Sequence, residues 1–197
     1  MKTYQQSIHS VKEAYEAIHD FFSWYHLHQA LEETDRLFKW ACKEKYYNKS
    51  APVDIVFFSQ QLYRLFTAAE IINYSAGKRL SIFVHDTATG HDVSNTNMNQ
   101  ETCSSRWEER SKYLSFVEWQ NPYWALRKLN GIRRWEEVLE ELMEVALSNG
   151  SIEGMYKIGE VMKWRERMMA VMEGGWLVEV RTKGDCVLKT KAFPNIP

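Results

Sequence analysis

Apolar residues recur at helical spacing over most of this chain, and the places where the spacing breaks divide it. Tyr4, Ile8, Val11, Tyr15, Ile18, Phe22 and Tyr25 step alternately by four and three, a heptad seam on a long amphipathic helix. The seam loses phase after Tyr25, so a turn is expected between Ser23 and His28. Leu31, Leu37, Phe38 and Ala41 predict a second helix ending near Tyr47. Asn48 to Pro52 reads as a loop, with Ser50 as a cap and Pro52 in the first turn of a third helix. Ile55, Phe58, Leu62, Leu65, Ala69 and Ile72 form its seam, and Gly77 is the natural stop. Three matched seams predict an antiparallel helical bundle over residues 1–77.

The pattern then changes. Leu80, Ile82 and Val84 alternate in a β-prone run. Thr87 to Cys103 is rich in Thr, Asn, Ser and Gln and reads as a linker or functional loop, so residues 78–104 separate two units.

Residues 105–197 read as a helical unit closed by a β-hairpin, which makes the whole chain mainly α. Arg106 to Val117 is expected to be helical. Asn121-Pro122 opens a short helix that Asn130-Gly131 closes. Trp135, Val138, Leu139, Leu142, Val145 and Ala146 share one helical face, with glutamates on the other. Ser151 is expected to cap a second helix with Ile152, Met155, Ile158 and Val161/Met162 inward. A third, Lys163 to Met172, would end at Gly174-Gly175. Trp176 to Arg181 alternates strictly, Lys183-Gly184-Asp185 reads as a hairpin turn, and Cys186 to Lys191 returns as the second strand. Helix, helix, helix, hairpin is the order of a winged helix-turn-helix.

In that arrangement the third helix enters the major groove and the hairpin lies along the backbone. Lys163, Trp164, Arg165 and Arg167 stand at the start of that helix and Lys183 at the tip of the wing; these are the candidate nucleic-acid contacts. Gly154 to Lys191 carries eight basic and five acidic side chains, a local excess on a chain of net charge −1. Phosphate recognition needs such an excess, because neutralised phosphates release counterions. The same segment also suits a protein partner, and helix charges are commonly a solvated face.

Composition narrows the classes. A 45% hydrophobic, 14% aromatic chain of 197 residues can bury a sizeable core. The near-neutral charge argues against a generic coat for nucleic acid or anionic membrane. Cys42, Cys103 and Cys186 are odd in number and far apart, which fits no disulfide framework and points to a reducing, cytoplasmic setting. No apolar run approaches the roughly 20 residues that span a bilayer, so no membrane association is expected.

Chemistry-bearing pairs are few. His85-Asp86 and His91-Asp92 offer ligand types for a transition metal, without a companion pair on the helices. Glu16 and His19 form one Glu-x-x-His, of which a di-iron bundle needs two. No phosphate loop, dinucleotide fingerprint or Cys-x-x-Cys occurs, so no cofactor is expected. Arg79 and His85, with five residues between them, resemble the Arg-x4-6-His motif of the HEPN superfamily of small helical ribonucleases. The resemblance implies a cleft, usually in a dimer, where the two side chains help cleave RNA at a 2′-hydroxyl. The first expectation is a non-enzymatic regulatory or accessory protein whose C-terminal unit binds DNA, RNA or a protein partner, with the bundle mediating assembly such as a homodimer. An RNA-cleaving enzyme and a helical interaction scaffold without a ligand are the alternatives.

Overall fold

In the computed structural model, residues 8–43, 51–76, 111–129 and 131–183 are described, and among them every regular element is helical. Seven α-helices run in order: α1 Val11–Trp24, α2 Leu27–Ala41, α3 Pro52–Ala76, α4 Phe116–Gln120, α5 Tyr123–Leu126, α6 Ile132–Leu147 and α7 Ile158–Lys183. The β-prone run at Leu80 to Val84, the polar loop to Cys103, residues 106–110 of the helix expected over Arg106 to Val117 and the returning strand Cys186 to Lys191 lie outside the described residues; 111–115 of that expected helix are not helical, and α4 starts only at Phe116, capped by Ser115.

Local signals set the helix ends. Ser10 Oγ accepts the Glu13 N–H at 3.2 Å, which satisfies one of the donors orphaned at the helix start, and Glu13 Oε2 reaches back to accept the His9 N–H at 2.8 Å. The expected turn after the first seam falls at Tyr25-His26, where Gln29 Oε1 accepts the His26 N–H at 3.1 Å. Pro52 is the first residue of α3, the position where its missing N–H costs nothing. The short helix expected after Asn121-Pro122 begins one residue later, at Tyr123, with Asn121 Oδ1 accepting the Tyr123 N–H. Gly131 adopts φ +86°, the left-handed region, and opens α6.

The third and sixth seams are buried as expected. Ile55, Phe58, Leu62, Leu65, Ala69 and Ile72 face the core from α3, and Trp135, Val138, Leu139, Leu142, Val145 and Ala146 face it from α6. On α1 the buried face is rotated from the heptad seam. Ala14, Ala17, Ile18, Phe21 and Phe22 are inside and Val11 is exposed, because the two alanines let α1 lie close against α3. The main partners of α2 are not α1 and α3 but α6 and α7. One buried cluster therefore takes side chains from both sides of the expected boundary at residues 78–104.

The C-terminal expectation needs the largest correction. Residues 158–183 form one continuous helix, so the first strand of the proposed hairpin, Trp176 to Arg181, is helical and no β-hairpin is seen among the described residues. Gly174-Gly175 does not stop the helix; it is the point of closest packing. A Cβ on Gly174 would meet Ala125 Cβ at 2.8 Å and the Pro122 carbonyl oxygen at 3.2 Å. A Cβ on Gly175 would lie 3.4 Å from Phe22 and 3.5 Å from Leu65. The pair makes room for α5 on one side and for α1 and α3 on the other. The helix expected after Ser151 is a single 3-10 turn, Ile152–Gly154, capped by Ser151. Ile152 and Val161 are buried, whereas Met155, Ile158 and Met162 face outward.

Candidate interaction groove

The continuity of α7 decides where the basic residues go. Positions 163 and 167 are one turn apart and share a face, and Lys163 and Arg167 are both exposed. Trp164 points into the core, 3% exposed, its ring edge-on to Tyr156 with centroids 4.8 Å apart. Arg165 lies on the side facing α2. Its Nε and Nη2 both reach Asp35 Oδ1, at 2.6 and 2.5 Å, and its guanidinium sits 5.9 Å from the Tyr113 ring. Partial burial opposes its charge, but Asp35 outweighs this and raises the Arg165 pKa. Lys183 is the last residue of α7 rather than the tip of a turn. Of the four candidate contacts whose side chains are described, only Lys163 and Arg167 are brought together in the open. Arg79 and His85 lie outside the described residues.

Arg165 instead forms part of the wall of a groove of about 940 Å³ between α2 and α7. Phe38, Trp40, Val161 and Met162 supply its apolar lining. Lys39 in the last turn of α2 and Lys43 just past its end are both exposed on that side, with Lys43 Nζ 5.0 Å from the Trp40 ring centroid. Arg36 is tied to Glu33 at 2.6 Å, as Arg165 is to Asp35. Cys42 lines the same groove; burial pushes its thiol pKa up and the nearby Glu153 carboxylate adds to the shift, so the thiol stays protonated and a poor nucleophile at neutral pH.

Apolar side chains are left open in and beside the groove: Met162 lines it, whereas Met155 and Ile158 line a second, smaller pocket. Met155, Ile158 and Met162 are 58%, 52% and 44% exposed, and the last two are one turn apart on α7. Their spacing was visible in the sequence. Which side of the helix faced the core was not, because residues 152 to 162 offer apolar side chains in more than one direction.

The other polar constellations fasten helices together. His19 Nδ1 meets Glu179 Oε1 at 2.7 Å, with Glu179 buried in α7, while Glu16 faces solvent beside Lys12. One turn earlier on α1, the Tyr15 and Tyr123 hydroxyls are 2.7 Å apart; burial first, and the Tyr15 contact second, raise the Tyr123 pKa far above its ordinary value. Phe22 on Trp176 completes this row between α1 and the C-terminal helices. No group of three or more His, Cys, Asp or Glu side chains among the described residues is arranged to hold a metal ion. No described helix is long and apolar enough to cross a membrane.

Comparison with protein-family models, curated proteins and solved structures finds no match for this chain.

Proposed function

We propose that this chain is a non-enzymatic accessory protein and that the groove between α2 and α7 is where it docks a protein partner. The observation that carries the reading is Met162, left open in the lining of a concave, partly apolar surface, with exposed Ile158 one turn before it on α7 and exposed Met155 in a second pocket that Ile158 also lines. Apolar side chains grouped beside a groove mark interaction sites more often than singly scattered ones do. Methionine suits such a surface because its flexible thioether adapts to a partner's shape. The nucleic-acid version of the accessory role is weakened by the same geometry. Trp164 is unavailable for stacking, and Arg165 is committed to Asp35. Lys163 and Arg167 alone would neutralise few phosphates.

The test is a photo-crosslinking residue placed at Met162 in the full chain, with Lys12 on α1 as the control position. A protein captured from 162 and not from 12 is then purified and titrated against wild type and Met162→Asp. Binding that the variant loses supports the groove. Binding untouched by Met162→Asp removes it. Salt-sensitive binding of labelled duplex DNA or single-stranded RNA that Lys163→Glu/Arg167→Glu abolishes would favour the nucleic-acid reading instead.

A further inference from the structure

The groove's charge and backbone environment point to its occupant. We infer that it takes an amphipathic helix of a partner protein, with acidic side chains flanking its apolar stripe; this rests on the groove being the docking surface. The lining carries four cationic side chains, Arg36, Lys39, Lys43 and Arg165, against the carboxylates Glu32 and Asp35. Arg165 uses Asp35, and Arg36 uses Glu33. Lys39 and Lys43 have no carboxylate partner among the described residues, and both stand on the rim. Lys39 stands in the last turn of α2 and Lys43 two residues past its end, and the wall they face carries Val161 and Met162 of α7. An incoming helix with carboxylates along one edge can face the two lysines while its apolar positions at i, i+3 and i+4 cover Met162 and the apolar lining.

A helix fits better than an extended segment. Both walls are helices whose backbone groups bond internally, so there is no strand edge to pair with the backbone of an extended chain. A helical occupant satisfies its own N–H and C=O groups and presents only side chains. Opposite charge at the rim also sets the register of docking and speeds encounter.

The experiment uses the full chain and three fluorescein-labelled helical peptides of about 20 residues, long enough to hold a helix. They share one leucine and methionine stripe and differ in flanking residues: glutamate, glutamine or lysine. Each is titrated by anisotropy at low and high salt, against wild type, Lys39→Glu/Lys43→Glu, Met162→Asp and the control Lys12→Glu, with circular dichroism confirming that each variant is folded. The expected result is tightest binding of the glutamate peptide, weakened by salt and by at least about tenfold in both groove variants, with the control unchanged. Equal binding of all three peptides, lost only in Met162→Asp, overturns the acidic occupant and leaves the groove standing. Absence of any Met162-dependent binding overturns both.

Discussion

Gly174 faces Ala125 so closely that a Cβ on the glycine would come within 2.8 Å of the alanine's own Cβ. Its neighbour Gly175 has an ordinary gap of 3.4 Å to Phe22. Alanine should therefore act in opposite directions at the two positions. Both substitutions gain about 1 kcal/mol of helix propensity. At 174 an overpacking cost of about 1–3 kcal/mol exceeds that gain, since Pro122 and Ala125 are fixed backbone-proximal atoms. At 175 the gain survives. Urea denaturation should show Gly174→Ala less stable than wild type, partly rescued by Ala125→Gly, and Gly175→Ala equal or more stable. A stable Gly174→Ala would mean that α5 does not pack against α7 as described.

The same two residues explain where sequence reading failed. Gly-Gly after a helical run is a stop signal when only local conformation is weighed, and Trp176, Val178 and Val180 alternate like a strand. Both signals are local, and both lose to packing: without side chains at 174 and 175, α7 can pass α5, α1 and α3 at close range and bury Val178 and Glu179 one turn further on. The faces of α3 and α6 were legible because their apolar residues fall on one side of the helix and the opposite side is largely polar. The pairing of α2 with α7 was not legible. No periodicity records which helix meets which, and the groove exists only through that pairing. Arg165 was singled out as a nucleic-acid contact, and no local pattern could reveal its partner Asp35, which lies 130 positions away in the chain.

Glu173 is buried in the middle of α7 and is the acceptor for three donors of one short segment. Ser111 Oγ donates to it at 2.8 Å, and the backbone N–H groups of Lys112 and Tyr113 donate at 3.0 and 2.9 Å. The carboxylate thus holds the approach to α4 against α7. Glu173→Ala strands three donors and should cost about 2–4 kcal/mol. Glu173→Gln keeps one acceptor oxygen but turns an amide N–H₂ toward the others, and should fall between. Hydrogen exchange at the Lys112 and Tyr113 amides should accelerate in both variants by more than the global loss predicts. Unchanged exchange there would show that the clamp does not hold the segment.

Glu118 gives the fold an acid-sensitive contact. Burial pushes its pKa up, but the Lys128 ammonium and the Ser115 N–H and hydroxyl push it down further, leaving it below the ordinary carboxylate value. A carboxylate depressed in the folded state contributes stability that is fully present above its unfolded pKa of roughly 4.3 and is lost as pH falls through the folded value. Glu118→Gln should therefore be less stable than wild type at pH 7, and the two should converge as pH drops below about 4. The check is urea midpoints measured across that range. Parallel curves would show that the ionised carboxylate contributes nothing.

Arg165 tests the structural reading against the nucleic-acid one directly. Its guanidinium contacts Asp35 across the α2–α7 interface, with Arg165 about three-quarters buried and Asp35 about half. Arg165→Glu puts two carboxylates in contact and should destabilise the chain by about 1 kcal/mol, a modest figure because the pair is partly solvated. The double variant Asp35→Arg/Arg165→Asp should recover part of that loss, since it restores opposite charges at one contact. A residue that served mainly to bind phosphate would behave differently. Its reversal would leave stability unchanged and lower nucleic-acid affinity, and the charge swap would not restore binding. Thermal melts and anisotropy on the wild type and these two variants separate the two outcomes: recovery in the melts assigns Arg165 to the α2–α7 contact, and a loss of affinity without a change in melting temperature returns it to a nucleic-acid site.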